Sequence, residues 1–338
     1  MSMENGLVGA CAAGYKADGM KTKTLGGTGL RVSEICLGTM QFGWYLDEPA
    51  AFGMMDFFVD AGGNFLDTAD MYSNWAPNNP GGVSEQMIGR WMKARGNRSR
   101  IVLATKCRGT MWAGPDGGGL TRSHILRACE ESLRRLGTDT IDVYQAHWDD
   151  EAVPQEETMG AFDALVRDGK VRFVGCSNFS AGRLSSAVEI SNRGKIARYT
   201  VIQPQYNLVY RSDFESATRA VCLENKIASI PYSPLGGGLL TGKFHASKHP
   251  GSSHRSDYIT RYAGKDADRV ILRLMDMARS LEVLPHQLAL RWIMEQPTVA
   301  APIIGASSND QLADLLAAPK LNIGKKSIEE LTRFSAPA

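Results

Sequence analysis

The chain has 338 residues, of which 43% are hydrophobic and 22% are charged, so it can form a large core and does not have the composition of a disordered protein. Its 38 basic and 36 acidic side chains give a net charge of +2 with no long block of one sign. This balance argues against nucleic acid or an anionic membrane as a partner. The six cysteines are scattered without a CxxC pair, and we interpret them as reduced thiols in a cytoplasmic protein.

The first 19 residues contain a mild apolar run that no basic segment precedes and that is too short to span a bilayer. We interpret residues 1–19 as a loose N-terminal leader, with Met20 as an alternative start. Residues 20–338 show no linker between their predicted elements, which favours a single domain.

The predicted elements begin with a small hairpin that turns at Gly26 and Gly27. Short apolar runs, typical of buried strands, then alternate with stretches whose apolar residues recur at helical spacing. Several helical stretches end at glycine, as at Gly96 and Gly137, where a left-handed cap costs least. The eight predicted strands lie at 34–40, 64–70, 101–106, 141–147, 171–178, 199–206, 228–235 and 298–306.

Eight strand-then-helix units in one chain predict an α/β fold, a (β/α)8 TIM barrel with an N-terminal β-hairpin and a C-terminal helical extension. A doubly wound sheet is the alternative, but fewer strands and a glycine fingerprint after the first strand are typical of that fold. The segment "LGGTGL" precedes the first strand and does not fit G-x-G-x-x-G in that context.

Reactive side chains stand at the ends of three consecutive predicted strands. Asp67 ends the second strand with Tyr72 in the loop after it, Lys106 ends the third, and His147 ends the fourth. The carboxyl ends of barrel strands meet at one rim, so we expect these side chains to lie together. A nearby lysine favours the phenolate and lowers the pKa of a tyrosine, while a carboxylate keeps the lysine charged and oriented.

Each of these residues also has an ordinary structural interpretation. The aspartate could accept a turn hydrogen bond, the lysine could reach solvent, and the tyrosine could plug the barrel mouth. Their joint placement favours a site that delivers a proton to a carbonyl oxygen, with His147 holding that oxygen from a second direction. The residues supply no electrons, so a reductase of this kind requires a hydride-carrying cofactor.

The segments "GGNFLDTADMYSN", "LATK" and "YQAH" resemble the catalytic segments of the aldo-keto reductases, and the resemblance runs from about residue 21 to residue 318. It implies a (β/α)8 barrel that reduces an aldehyde or ketone to the alcohol with NADP(H) or NAD(H) and without metal. By the same resemblance, Tyr72 is the general acid, Lys106 and Asp67 tune it, and His147 orients the carbonyl.

Three further segments, "GCSNF", "QPQYN" and "PYSPLGGGLLTGK", resemble cofactor-binding stretches of that family. The resemblance implies that the nicotinamide carboxamide is bound by Ser177, Asn178 and Gln203 and that the ring of Tyr232 stacks on the nicotinamide. The glycine run allows backbone N–H groups to approach a pyrophosphate. Further contacts implied along this segment are Ser233, Leu235, Gly237 and Lys243.

The segment "IIGASSNDQLADLL" contains no basic residue, although many family members hold the 2′-phosphate with one there. It is similar to the corresponding segment of the potassium-channel β-subunits, which bind NADPH, except that Leu315 stands where an asparagine is usual. NADP(H) is therefore favoured, with Arg255 or Arg261 in the long loop 244–265 supplying the charge, and NAD(H) is the alternative. The contacts implied at this end are Gly305, Ser307, Gln311 and Asp314.

Four tryptophans follow successive strands or catalytic residues. They predict a pocket for a flat or ringed carbonyl compound, such as an aromatic aldehyde, a sugar-like aldehyde or a bulky cyclic ketone. The partner expected is thus a small carbonyl or alcohol, and the sequence leaves the oligomeric state open. The residues are Trp44, Trp75, Trp112 and Trp148.

Two other functions are compatible with these residues. The first is a nucleotide-sensing regulator of the channel-subunit type that turns over slowly, because a regulator can retain catalytic residues. The second is a metal-dependent barrel hydrolase, although the paired histidines usual on an early strand are absent from the first predicted strand. Its ligands would be Asp67, Asp70, His147, Asp149 and Asp150.

Overall fold

The computed structural model describes residues 19–243, 262 and 264–337, so the predicted leader lies outside the described residues except for Gly19. The predicted hairpin is confirmed: strands β1 (Thr22–Thr24) and β2 (Arg31–Ser33) pair in antiparallel fashion around a 3-10 turn. Gly26 in that turn has a φ of 53°, and a Cβ there would come within 3.0 Å of three backbone atoms. Glycine is therefore required at this turn.

The eight predicted parallel strands are all present and pair in sequence order. The last strand pairs with the first, and the segment before it closes the ring: the Ser229 N–H donates to Thr298 O at 2.8 Å, and the Ala300 N–H donates to Ser229 O at 2.9 Å. The (β/α)8 barrel is thus confirmed. The strands are β3 (Cys36–Gly38), β4 (Phe65–Asp67), β5 (Val102–Cys107), β6 (Ile141–Ala146), β7 (Val171–Ser177), β8 (Tyr199–Gln203), β9 (Ala228–Ser229) and β10 (Ile303–Ile304).

The described residues form ten α-helices, and the last of them is the predicted C-terminal extension. Gly96 and Gly137 end two helices with φ values of 60° and 61°, as predicted. Among these helices, none is both long and apolar enough to cross a membrane. They are α1 (Glu48–Asp60), α2 (Val83–Arg95), α3 (Arg122–Leu136), α4 (Gln155–Arg167), α5 (Ala181–Gly194), α6 (Arg219–Asn225), α7 (Lys265–Ser280), α8 (Pro285–Met294), α9 (Asn309–Leu316) and α10 (Lys325–Phe334).

Two apolar layers make up the core. The larger lies between the strands and the surrounding helices, and the smaller fills the barrel with side chains such as Phe65, Val102, Ala104, Val143 and Val201. Successive residues of a strand face opposite sides of a sheet. The residue two positions after each of these side chains therefore also faces the barrel interior. This alternation carries polar side chains at the carboxyl ends of β4, β5, β6 and β8 to one interior rim.

Two helix glycines provide a matched test of the close packing between α2 and α3. A Cβ on Gly89 would lie 2.5 Å from the Arg135 carbonyl oxygen, whereas a Cβ on Gly160 in α4 would meet nothing within 4 Å. We expect Gly89→Ala to lower the free energy of unfolding by about 1–3 kcal/mol because backbone must move. Gly160→Ala should leave it unchanged or raise it by about 0.5–1 kcal/mol. Equal denaturation midpoints for the two variants would contradict this packing.

Candidate active site

A buried chain of hydrogen bonds joins the ends of β4 and β5. Lys106 is 0% exposed, and its ammonium donates to Asp67 Oδ2 at 2.7 Å, Thr68 O at 2.7 Å and Tyr72 Oη at 2.9 Å. These three contacts use all three N–H groups of the ammonium. Because an ammonium cannot accept, the phenol oxygen accepts from Lys106, and the phenol hydrogen is left to donate into the adjoining cleft.

Amide side chains complete the surroundings of the buried carboxylate. Gln203 Nε2 donates to Asp67 Oδ1 at 2.9 Å, and Gln145 Nε2 lies 3.3 Å from the same oxygen. A buried ion pair is tolerated when hydrogen bonds satisfy its remaining polar atoms. Four strands, β4, β5, β6 and β8, therefore fix the position of Asp67.

Tyr72 reaches the rim because the segment after β4 turns sharply. The Tyr72 N–H donates to Ala69 O at 3.3 Å, and Ser73 has a φ of 67°. The buried Ser73 hydroxyl lies within 3.0 and 3.1 Å of two carbonyl oxygens, those of Met40 and Phe42, in the loop after β3. These contacts hold an unfavourable backbone conformation and direct the phenol of Tyr72 to Lys106.

The pKa of Tyr72 differs from the sequence-based prediction. Burial raises the pKa of Tyr72 to about 12, and Lys106 offsets only part of that rise. Lys106 thus favours the phenolate as predicted, but the net pKa is not lowered, because desolvation disfavours the charged form more strongly. Burial lowers the pKa of Lys106, yet Asp67 and Tyr72 more than offset this effect and raise it above its usual value.

His147 faces Tyr72 from the loop after β6, with 5.7 Å between the ring centroids. Burial, with Lys106 and Arg108 nearby, holds the pKa of His147 well below its usual value, so the imidazole is neutral at physiological pH. Its Nδ1 is buried and has no hydrogen-bond partner among the described residues. His147 lines the cleft, and we therefore assign the single ring hydrogen to Nε2, which can then donate a hydrogen bond to a ligand there.

The predicted nicotinamide residues form one hydrogen-bonded network on the wall of this cleft, which has a volume of about 650 Å³. Asn178 Nδ2 donates to the Ser177 hydroxyl at 3.0 Å and to His147 O at 3.1 Å, and Asn178 Oδ1 accepts from Tyr232 Oη at 2.9 Å. Gln203 also lines the cleft. These amide and hydroxyl groups are of the kind that a carboxamide requires, and the network fixes their positions in advance.

The next predicted contacts, Ser233, Leu235, Gly237 and Lys243, all line the same cleft. Gly237 and its neighbour Gly238 have φ values of 67° and 110°, which L side chains rarely adopt. Without a Cβ, this backbone can lie directly against a ligand, and Lys243 adds a positive charge. The segment is therefore suited to a pyrophosphate.

Most of the residues predicted to contact the adenosine end of the cofactor are found at the cleft. Gly305, Gln311 and Asp314 line the cleft. Ser307 does not line it but donates through its hydroxyl and its N–H to Gln311 Oε1, at 2.8 and 3.1 Å. Arg255 and Arg261 lie outside the described residues. The hydrogen-bonding groups that line the cleft from Tyr72 to Asp314 thus fit an extended nicotinamide dinucleotide.

Sequence reasoning missed several residues of the site. Gln145 lies in β6 two residues after Val143, which faces the barrel interior, so the alternation of strand residues was a usable signal. Gln41 and Tyr45 line the cleft from the loop after β3, and His286 lines it from the first turn of α8. These three carried no signal, because their positions depend on loop packing.

Three of the four tryptophans that were predicted to surround the pocket line the cleft. The prediction is wrong for the fourth, Trp112. Trp44 and Trp75 lie edge to face at a centroid distance of 5.5 Å, and Trp148 lines the cleft beside His147. Trp112 packs instead against Arg127, whose guanidinium carbon lies 4.1 Å from the ring centroid. The loop after β5 turns this indole toward α3 rather than toward the cleft.

The carboxylates of the metal-hydrolase hypothesis are largely engaged elsewhere. Asp67 is paired with Lys106, and Asp149 accepts from Arg183 at 2.6 Å. Within the described part of the chain, no group of three or more His, Cys, Asp or Glu side chains is arranged to hold a metal ion. Asp70 is fully buried, and neither of its carboxylate oxygens has a hydrogen-bond partner among the described residues.

Residues 34–336 match the model of the Aldo/keto reductase family, and the chain belongs to that family. It is 35% identical over 318 residues to the uncharacterized oxidoreductase YrpG of Bacillus subtilis (strain 168), covering 92% of this chain and 95% of YrpG. It is 30% identical over 325 residues to protein Tas of Escherichia coli (strain K12), covering 89% and 94%. It is also 33% identical over 308 residues to a probable voltage-gated potassium channel subunit beta of Oryza sativa subsp. japonica, covering 88% and 91%. Family membership implies an oxidoreductase that reduces carbonyl compounds with NAD(P)H.

The buried ion pair can be tested by removing one charge and then both. Lys106→Met leaves the carboxylate of Asp67 buried without its cation, so we expect the free energy of unfolding to fall by about 3–5 kcal/mol. The double variant Asp67→Asn/Lys106→Met leaves no uncompensated charge and should recover most of that loss. Chemical denaturation measures both values. Equal losses in the two variants would show that the ion pair does not account for the effect.

The neutral state of His147 can be tested by NMR. Because its pKa lies well below 6.5, the ring carbon signal of His147 in protein labelled at histidine should not move between pH 8 and pH 6. The chain has six histidines, and comparison with His147→Gln identifies the relevant signal. A titration midpoint near 6.5 for that signal would mean that burial and the nearby cations do not control its protonation.

Proposed function

We propose that the protein reduces an aldehyde or ketone to the alcohol with NADPH, with Tyr72 as the proton donor. The observation that carries this proposal is the Lys106 ammonium, whose three hydrogen bonds leave the phenol hydrogen of Tyr72 available to the cleft. A nicotinamide cofactor held in the cleft would supply the hydride for the carbonyl carbon. The protein's own residues orient the carbonyl and deliver the proton.

Each member of the buried chain has one task in this reaction. Tyr72 is protonated before reaction because its pKa is about 12, and its O–H points a proton at the carbonyl oxygen. Lys106, held charged by Asp67, stabilises the phenolate that remains after the proton has left. The neutral imidazole of His147 donates a second hydrogen bond to the same oxygen, which gains negative charge as the reaction proceeds.

NADP(H) is the proposed cofactor, because the segment "IIGASSNDQLADLL" is similar to that of the potassium-channel β-subunits, and NAD(H) is the alternative. Ser177, Asn178, Gln203 and Tyr232 would hold the nicotinamide end, and the glycine run with Lys243 would hold the pyrophosphate. The adenosine end would be bound by Gly305, Gln311 and Asp314, with Ser307 acting through Gln311.

Aromatic side chains near the catalytic residues support a flat or ringed substrate, such as an aromatic aldehyde, a sugar-like aldehyde or a bulky cyclic ketone. Trp44 stacks on Tyr45 at a centroid distance of 3.8 Å, and Trp75 and Trp148 also line the cleft. Such rings recognise a flat partner through apolar contact and stacking.

A nucleotide-sensing regulator is the second candidate function. It is favoured by the similarity to a probable potassium channel subunit beta, which extends over 88% of this chain. In that case the same cleft would bind NADPH, and turnover would be slow.

The test is the initial rate of NADPH and NADH oxidation with aromatic, sugar-like, cyclic and short aliphatic carbonyls, for the wild type and for Tyr72→Phe. Loss of the positioned acid should lower the rate on the order of 10²–10⁴-fold. The dissociation constant for NADPH, measured by fluorescence titration, should stay within a few fold of the wild-type value.

Turnover at the wild-type rate by Tyr72→Phe would refute the role of the phenol. Binding of NADPH without turnover of any carbonyl by the wild type would favour the regulator. A preference for short aliphatic aldehydes would contradict the proposed substrate class. Loss of activity on treatment with a chelator would revive the metal-dependent alternative.

A further inference from the structure

Arg108, the residue directly after β5, has a backbone conformation that favours glycine. Its φ is 121°, in a region that L side chains rarely adopt. Strain of this kind persists only where surrounding contacts hold it, and it is concentrated at functional sites. We therefore expect the side chain of Arg108 to make contacts that stabilise this strained conformation.

Those contacts join Arg108 to three consecutive residues of the loop that follows His147. Its guanidinium carbon lies 4.5 Å from the ring centroid of Trp148, and its Nε donates to Asp149 O at 3.1 Å. A second guanidinium nitrogen lies 3.9 Å from a carboxylate oxygen of Asp150. A single side chain thus holds the loop that carries the catalytic imidazole and its neighbouring indole.

The guanidinium of Arg108 and the indole of Trp148 lie against each other, and of these two groups only the indole lines the cleft. Its ring centroid lies 5.0 Å from that of His147, so the indole stands directly beside the group that would receive the carbonyl. Arg108 does not line the cleft, so it acts on a substrate indirectly, by holding Trp148 and, to a smaller extent than burial, by keeping His147 neutral. A guanidinium over an indole face is an attractive pairing that restricts the rotation of the ring.

We propose that Arg108 is a positioning residue that holds Trp148 ready to stack on a ring-shaped substrate and thereby sets the preference for aromatic and cyclic carbonyls. This inference rests on the proposed reductase function. An indole that is fixed before binding loses less conformational entropy when the substrate binds. A substrate that contacts the ring of Trp148 therefore binds more tightly. A short aliphatic aldehyde makes little contact with the indole and gains little.

Arg108→Gly is the most informative variant, because glycine suits the φ of 121° while the guanidinium is lost. We expect the KM for an aromatic aldehyde to rise about three- to ten-fold, from the loss of the cation–π contact. The kcat and the KM for a short aliphatic aldehyde should change little, because burial, the largest cause of the low pKa of His147, is retained. The melting temperature should be unchanged or higher, since backbone strain is relieved. Arg108→Lys keeps a cation, so its KM for the aromatic aldehyde should lie between those of the wild type and Arg108→Gly.

Two further variants separate positioning from general loosening of the loop. Arg183→Met removes the paired contacts of Arg183 with the Asp149 carboxylate, at 2.6 and 2.9 Å, and should leave the ratio of the two KM values unchanged. Trp148→Leu should raise the aromatic KM, and adding Arg108→Gly to it should have no further effect.

The proposal is overturned if Arg108→Gly raises both KM values alike, if its effect adds in full to that of Trp148→Leu, or if Arg183→Met reproduces it. It is also overturned if Arg108→Gly lowers the melting temperature without changing the KM ratio. Failure of the wild type to oxidise NADPH or NADH with any carbonyl is a different result. That result would overturn the proposed function, and this inference with it.

Discussion

The ion pair between Asp67 and Lys106 is the constraint on which the rest of the site depends. Two charges that are 1% and 0% exposed are stable inside the barrel only because they lie 2.7 Å apart and because Thr68, Gln145 and Gln203 satisfy their remaining polar atoms. The ion pair and these partners together come from four strands, β4, β5, β6 and β8, and from the turn after β4. A closed parallel barrel brings four strand ends to one interior point, so the ion pair depends on the fold for its position.

The distribution of charge around this pair determines the chemistry. The ion pair lies behind the phenol, whereas Tyr72 and His147, the two groups proposed to contact the carbonyl oxygen, are both neutral at physiological pH. A neutral carbonyl oxygen can therefore bind without meeting a full charge. In the proposed reaction, this oxygen would receive a proton as it becomes negative, and the negative charge would pass to a phenol that already accepts from an ammonium.

The strand pattern predicted the fold and most of the site, because residues at the carboxyl ends of barrel strands must meet. Asp67, Lys106 and His147 were predictable on this ground, and Tyr72 follows by a turn of five residues. The pKa of Tyr72 was not predictable, because it depends on how completely the phenol is buried. The positions of Trp112 and His286 were not predictable either, since loop and helix packing, rather than strand register, sets them.

The most direct measurement is a crystal structure of the protein with NADPH and an unreactive analogue of a carbonyl substrate. The account predicts that the analogue oxygen lies about 2.6–3.2 Å from both Tyr72 Oη and His147 Nε2. It also predicts that Lys106 still donates to the phenol and that the nicotinamide lies against Ser177, Asn178 and Gln203. An oxygen bound away from Tyr72, or a Lys106 that has left the phenol, would contradict the account.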